Sequence, residues 1–490
     1  MYYIGVDLGT SAVKLLLMTG DGVIHNIVSR EYPLSMPKPG WSEQDPADWR
    51  RETLAGIREL TKDIDRRLVA GIGVGGQMHG LVALDKADRV LRPAILWNDG
   101  RTAAETAWLN RELGEDTLAA RTGNIAFAGF TAPKLLWMRA NEPSLFEKVD
   151  KVMLPKDYLV YLLTGVHAAD CSDAAGTLLF DVGRRCWSPE MLAVCGLRLE
   201  QMGHVYESSQ VVGTLLPALA KELDLPETVK VVAGAGDNAA AAVGTGTVGK
   251  GRCNLSVGTS GTIFLSDDRY VNPRNHAVHA FCHADGGWHL MGVELSAASC
   301  NKWWSDILET KDFAAQQAAI TADRLGRNRV YFLPYLMGER TPHNDALARA
   351  AFLGMTMDTS RADMTQAVLE GVAFGLRDGL EAARDAGIQV SRSRLCGGGA
   401  KSPVWQQILA DVLNLELELL ETEQGPGLGG AMLAAVGCGE YASVREAADA
   451  IVRITGTVKP DPEAVARYDA RYETYRALYP ALKPLFPQMQ

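Results

Sequence analysis

Two stretches of this chain, roughly 250 positions apart, are written alike. Tyr2 to Met18 reads as a strand-like apolar run, a Gly9-Thr10-Ser11 turn and a second strand-like run. Asn254 to Val271 repeats the pattern around Gly258-Thr259-Ser260. A chain that opens twice with strand, turn and strand is constrained toward two related α/β halves facing each other across a cleft. Gly-Thr-Ser is also a common turn tripeptide, so coincidence is the competing reading. Length favours duplication, because 490 residues exceed what one core organises. The division expected is 1–245 and 246–490.

The remaining pattern alternates strands with helices. Asp21-Gly22 marks a tight hairpin turn. A helix is predicted over 45–60 and a buried strand over 68–74, ending in Gly75-Gly76-Gln77-Met78-His79-Gly80. Helices follow over 102–113 and 132–139. The strand 229–233 leads into Gly234-Ala235-Gly236-Asp237-Asn238 and an Ala-rich helix through Val243, and 244–251 reads as a connector. In the second half come a strand over 329–333, a long helix over 363–386 and Gly397-Gly398-Gly399-Ala400-Lys401-Ser402. A helix over 403–413 and a strand over 415–420 precede a Gly-rich helix start at 425–430. A capping helix is predicted over 461–485, with Tyr468, Tyr472 and Tyr475 at packing positions.

Composition excludes several classes. A net charge of -10 disfavours nucleic acid and anionic membranes as partners. The eight cysteines are scattered without a C-x-x-C pair, which suits reduced thiols and a cytoplasmic location. Asp7 interrupts the first apolar run, which argues against a signal sequence.

Three motifs resemble sites and are set aside. Gly244-x4-Gly249-Lys250 is followed by Gly251, without the hydroxyl of a P-loop, and it follows a helix. Gly425 to Gly430 fits G-x-G-x-x-G, but the segment beyond it is helical where a dinucleotide fold needs a strand. It reads better as a helix N-terminus beside a nucleotide phosphate. His276, His279, Cys282 and His283 lack the spacing and second ligand pair of a zinc site.

Phosphoryl transfer needs a phosphate cradle, a place for magnesium and a base. Asp7 with Thr10, Ser11 and Lys14 offers a carboxylate, small turn residues and a cation. Asp237, at a strand end, reads either as an N-cap or as a base aimed into the cleft. Gln77, Met78 and His79 with Trp97-Asn98-Asp99-Gly100-Arg101 mix polar groups and carbon faces in a way that suits a sugar.

Taken in order, these segments resemble the FGGY family of carbohydrate kinases over nearly the whole chain. The resemblance rests on DLGTSAVK at 7–14, GGQMHG at 75–80, WNDGR at 97–101, LPKDYL at 154–159 and SDAAGT at 172–177. It continues through GAGDNAA at 234–240, SVGTSG at 256–261, PYLMGERTPH at 334–343 and GGGAKS at 397–402. The wording QMHG, WNDGR and GERTPH is similar to the branch that phosphorylates D-xylulose. The family implies an actin-like ATPase fold of two RNase-H-like domains facing across a nucleotide and sugar cleft, with ATP and Mg2+ as cofactors. It implies Asp237 as base, and Asp7 with Asp237 at the metal. Met78 and His79 would contact the ketose, with Gln77, Asp99, Arg101 and Asn238 nearby. Gly258, Thr259 and Ser260 would meet ATP phosphates, and Gly398, Gly399, Ala400 and Lys401 would lie by the nucleotide. Lys14 departs from branches that carry Arg there. Other ketopentoses, pentitols or glycerol, and a non-kinase actin-like ATPase, are the competing functions. A two-fold homodimer is the default assembly.

Overall fold

The Gly9–Ser11 turn joins β1 (Tyr2–Leu8) to β2 (Ala12–Thr19) in antiparallel register from Tyr2↔Thr19 to Leu8↔Val13. The Gly20–Val23 turn, with Gly22 at φ 88°, returns the chain as β3 (Ile24–Glu31). These features come from a computed structural model that describes residues 1–273, 276–422 and 424–489. Helix α1 (Pro46–Leu60) starts at Asp45, whose side chain accepts from Ala47 N, with Pro46 in the first turn where its missing N–H costs nothing. Then come β4 (Val69–Gly76), α2 (Pro155–Thr164), β5 (Val211–Thr214), β6 (Lys230–Val232) and α3 (Asp237–Gly244). The predicted helix over 102–113 is broken: Ala103–Trp108 is α-helical, and Leu109–Gly114 widens into a π-helical turn.

The second half contains β7 (Arg252–Val257), β8 (Gly261–Asp267), β9 (His279–Cys282), β10 (Trp288–Glu294) and α4 (Ala298–Ile307). These are followed by α5 (Arg361–Asp385), β11 (Arg392–Cys396), α6 (Pro403–Leu413) and β12 (Glu416–Leu420). The chain closes with α7 (Gly425–Cys438), β13 (Ile454–Val458) and α8 (Pro462–Leu482).

The two sheets share one plan. The first runs β5-β6-β4-β1-β2-β3 and the second β9-β10-β8-β7-β11-β12-β13. In each, the opening strand has an antiparallel hairpin partner on one side and two successive parallel strands on the other. An antiparallel edge strand closes each, β5 or β13. With β3 and β10 each antiparallel to the hairpin partner, the repeat seen in two tripeptides therefore extends to six strands.

Helix α7 belongs to the second half in sequence and to the first in space. A Cβ on Gly5 would stand 1.8 Å from Gly427 O, and one on Gly73 would stand 2.0 Å from Gly430 O. Only bare backbone lets the helix lie this close under β1 and β4. It brings Leu428, Ala431 and Met432 against Tyr3, Leu16, Met18 and Val232. Within the 425–430 run, read in sequence as a helix start beside a nucleotide phosphate, packing requires the bare backbone of Gly429 and Gly430, whose Cβ atoms would stand 1.9 Å from Ala240 O and 2.6 Å from Gly73 O, and leaves space at Gly425 and Gly427.

A second bond between the halves lies along β9 and β10. Asn124 Nδ2 donates to Ala280 O at 2.8 Å, Arg185 to Gly287 O at 2.8 Å, and Trp288 Nε1 to Val182 O at 2.8 Å. The three tyrosines of α8 do more than pack. Tyr468 donates to Glu370 at 2.8 Å and Tyr472 to Asp378 at 2.5 Å, supplying buried carboxylates of α5, while Tyr475 meets the Tyr335 hydroxyl at 3.4 Å.

Candidate active site

The C-terminal ends of β1, β4 and the 235–236 bridge strand converge. Asp7 pairs in register with Gly75, and Gly75 pairs with Ala235. Two steps at ~4.8 Å set Asp7 and Ala235 about 10 Å apart across the sheet, with Asp237 just beyond. Asp237 is the first residue of α3 and Gly236 is its cap, so the N-cap alternative falls. Its Oδ1 accepts from Asn238 N at 2.7 Å and Asn238 Nδ2 at 3.0 Å.

A carboxylate at a helix N-terminus is ordinarily held low. Here burial wins: Asp237 is pushed up from 3.8 to about 7, first by desolvation and then by the charge of Asp7. Burial also lifts Asp7 to about 6, against the opposing pull of Lys14, its cross-strand neighbour. Asp7 takes no hydrogen bond or ion pair among the described residues. Two carboxyls with raised and mutually dependent titration suit proton transfer at neutral pH.

Met78 is buried, 4.0 Å from Asn238 Nδ2 through its sulfur. His79 sits at φ 69°, a conformation disfavoured without a purpose. Its carbonyl accepts from Thr131 Oγ1 and from Lys134 Nζ, both at 3.0 Å, and Lys134 also donates to Gly129 O. Its ring stacks on Phe130 at 4.6 Å, and Nδ1 lies 2.6 Å from Gly176 O. A carbonyl there requires the proton on Nδ1, so Nε2 is an acceptor. Burial, with Lys134 and Arg340 as neighbouring cations, holds His79 down to about 3, hence neutral. Lys134, fully buried, is pushed down to about 7 mainly by desolvation. Sequence reasoning missed it, because one lysine in an otherwise apolar helix carries no motif.

Three residues expected near the sugar are held by protein groups, with Gln77 Oε1 and Arg101 Nη1 left without a partner among the described residues. Asp99 is buried, with its oxygens taken by Arg101 (2.7–2.9 Å) and Ser42 N (2.5 Å). Arg101 lies 3.6 Å over the Trp41 ring. The pair stiffens the wall, with Arg101 Nη1 left without a hydrogen-bond partner among the described residues. Gln77 Nε2 donates to Gln44 Oε1 at 3.1 Å and to Gly9 O at 3.3 Å, pinning the first turn. Trp97, nearby and exposed, donates from Nε1 to Thr10 Oγ1 at 2.9 Å. Thr10 therefore tethers the cleft rim, while Ser11 stays exposed beside it.

On the other side of the cleft, the Gly258–Ser260 turn and the 3-10 turn Gly398–Lys401 line one cavity of about 980 Å³. Gly258, Thr259, Gly398, Gly399 and Lys401 form part of its wall; Ala400 is buried behind it. Sequence reasoning missed the rest of the wall: Ala298–Lys302 of α4, the segment from Phe313 to Ile320, and Pro403–Trp405 of α6. Ala298, Phe313, Ala318, Ile320 and Val404 give this wall apolar faces that suit a flat heteroaromatic ring, with Asn301, Lys302 and Gln317 as polar groups among them.

Behind Asp237, LPKDYL and SDAAGT build a buried charge cluster. Lys156 Nζ lies 2.5 Å from Asp157, 2.7 Å from Asp170 and 3.1 Å from Ala233 O. Asp157, Asp170 and Asp173 could surround a metal ion, but the ammonium group already supplies the cation. Asp173, without a partner among the described residues, is pushed well up by burial. Ser172 Oγ of this cluster accepts from Gly236 N at 3.1 Å, fixing the approach to Asp237. The zinc decoy dissolves: His283 meets Thr247 O, Cys282 meets Val182 O and His276 meets Asp116, each a separate partner.

Residues 2–244 match the model of the FGGY family of carbohydrate kinases, N-terminal domain, and residues 253–438 match its C-terminal domain. The chain is 43% identical over 485 residues to a xylulose kinase of Escherichia coli K12, covering 99% of each. It is 43% identical over 488 residues to one of Klebsiella pneumoniae, again covering 99% of each. Its fold superposes on a crystal structure titled as a xyloylose kinase from Brucella ovis with a TM-score of 0.94 at 43% identity, over 99% of this chain and 100% of the other.

Proposed function

The chain belongs to the FGGY family of carbohydrate kinases, and from that membership we propose that it transfers the γ-phosphoryl group of ATP to the C5 hydroxyl of D-xylulose, giving D-xylulose 5-phosphate and ADP. The relatives at 43% identity carry the name xylulose kinase. The observation that carries the reading is the pair Asp7 and Asp237 at converging strand ends, beside an acceptor wall whose histidine is held neutral.

Asp237 accepts the proton of the attacking hydroxyl at its carboxylate, a role matched by a titration near 7. Its Oδ1 is already fixed by Asn238, so the carboxylate is aimed before the sugar arrives. His79 Nε2 accepts from a sugar hydroxyl, and Met78 and Trp97 offer carbon faces. The turns Gly258–Ser260 and Gly398–Lys401 receive the nucleotide, with Lys14 near the phosphates. The all-oxygen pair Asp7 and Asp237 fits a hard divalent ion, and these residues would hold Mg2+, which neutralises phosphate charge when bound. We assign sugar binding to residues 1–245 and nucleotide binding to 246–490. No described helix is long and apolar enough to cross a membrane; the reading places the reaction in the cytoplasm, with a two-fold homodimer as the default assembly.

The test is ADP release with Mg-ATP against D-xylulose, L-xylulose, D-ribulose, L-ribulose, L-fuculose, xylitol, D-arabitol, ribitol and glycerol. D-Xylulose is expected to give the highest kcat/KM. A higher value for another compound reassigns the acceptor, and ATP binding without sugar-stimulated ADP release returns the non-kinase ATPase reading.

Lys134→Met is expected to raise the KM for D-xylulose about tenfold, because the His79 carbonyl loses a donor and the ring its register. The KM for ATP, set on the other side of the cleft, is expected to stay unchanged. Equal rises in both constants would count against a local role.

A further inference from the structure

Arg340 belongs to the second half but reaches the wall that carries His79. Its backbone is fixed at the end of β10. Glu339 Oε1 accepts from Arg340 N at 2.7 Å and Leu295 N at 2.9 Å, and Thr341 N donates to Val293 O at 3.0 Å. From this base the guanidinium lies 5.5 Å over the Phe127 ring. Phe127 is 5.4 Å from Phe130, which stacks on His79. Aromatic faces are the contacts it makes: the guanidinium takes no hydrogen bond or ion pair among the described residues. Arg340 is half-buried, and a guanidinium resting on aromatic faces without a polar partner leaves its planar set of donors open to a ligand.

Its surroundings indicate which end of the acceptor it meets. The positive charge of Arg340 helps hold both His79 and His279 low. Asp7 and Asp237 are governed instead by burial, by Lys14 and by each other. The Phe127–Phe130 contacts place Arg340 on the aromatic cluster that carries His79. A guanidinium only donates, whereas neutral His79 Nε2 only accepts. Linked through Phe127 and Phe130, the two offer one donor and one acceptor, the complement of a carbonyl oxygen next to a hydroxyl, the pattern of an α-hydroxyketone.

We propose that Arg340 is a specificity-determining residue that donates to the ketone oxygen of the acceptor sugar while His79 accepts from the neighbouring hydroxyl. The inference rests on the kinase reading above. It explains how one pocket separates a ketopentose from the pentitol of the same length. A pentitol presents a hydroxyl where the ketose presents a pure acceptor, and its proton must be turned away from the guanidinium.

The experiment compares kcat/KM for D-xylulose and for xylitol, with Mg-ATP, in wild type, Arg340→Met and Arg340→Lys. Arg340→Met is expected to lose about 10–100-fold on D-xylulose and less than about threefold on xylitol, so the ketose preference collapses. Arg340→Lys, which keeps charge but loses the planar fork, is expected to fall between them. The KM for ATP and the melting temperature are expected to hold. An unchanged ketose-to-pentitol ratio in both variants of an active enzyme overturns this inference alone. Equal losses on both compounds overturn it too, since they mark a structural role. Wild type inactive on both compounds overturns the D-xylulose reading and this inference with it.

Discussion

Asp237→Asn is expected to lower kcat by about 10²–10⁴-fold while ATP binding and the fold persist. The amide keeps the shape of the carboxylate but cannot accept a proton, and its partner Asn238 remains in place. The free wild-type enzyme should show kcat/KM on a plateau above pH 7 and falling tenfold per pH unit below it, as Asp237, raised to about 7, takes up its proton. The variant should lack that limb. Near-normal turnover by pure variant would remove Asp237 from the base role.

The same substitution should stabilise the protein at neutral and alkaline pH. A carboxyl whose folded-state value is raised contributes stability that is fully present below its ordinary 3.8 and lost as pH rises through about 7. At about 1.4 kcal/mol per pH unit, the charged carboxylate costs up to ~4 kcal/mol at pH 8, and Asn removes that cost. Wild type and variant should therefore unfold alike near pH 4, diverge as pH rises from about 4 to about 7, and keep a constant gap above that, as read by denaturant titration. Loss of activity accompanied by a gain in stability is the signature of a functional group held against its preference.

Gly5→Ala is expected to destabilise the protein by about 3–5 kcal/mol. The new methyl group would stand 1.8 Å from Gly427 O and 2.8 Å from Ala431 N, all backbone, so neither side can yield by a rotamer change. Gly427→Ala tests the same contact from the other side. Its Cβ would meet nothing closer than Leu16 Cβ at 3.7 Å, and alanine favours a helix over glycine by about 1 kcal/mol. The first substitution should unfold at much lower denaturant, and the second should hold or gain. Equal effects would mean that the helix can shift away from the strand.

The sequence reading reached the strand ends and missed what stands between them. Asp7, Met78, His79 and Asp237 were legible because each follows a short apolar strand and precedes a glycine-rich or helical turn, a local pattern. The two nucleotide turns were legible for the same reason. The Phe313–Ile320 wall was not, because a flat apolar surface is assembled from segments distant in sequence and resembles ordinary core. Asp99 and Arg101 looked like ligands for the sugar. Spacing alone does not reveal that they pair with each other, nor that Trp41 covers the guanidinium. The glycines at 425–430 were read for phosphate; that Gly430 lies against Gly73 of β4 and Gly429 against Ala240 of α3, so that neither has room for a side chain, is a long-range fact no local pattern carries. Lys134 and Arg340 are single cations whose meaning arises only from what they face.

The path of α7 also sets a timetable. The underside of the first sheet, with Tyr3, Leu16 and Met18, is covered by a helix that ends at Cys438. While the chain emerges from the ribosome, the first half is synthesised long before its cover exists. At ~5–20 residues per second, that apolar face waits on the order of ten seconds or more for the helix that seals it. A fragment ending near residue 245 would wait indefinitely, so truncated forms should collect on chaperones or aggregate. The contact that brings the two halves into one molecule also makes the earliest-made half the last to be finished.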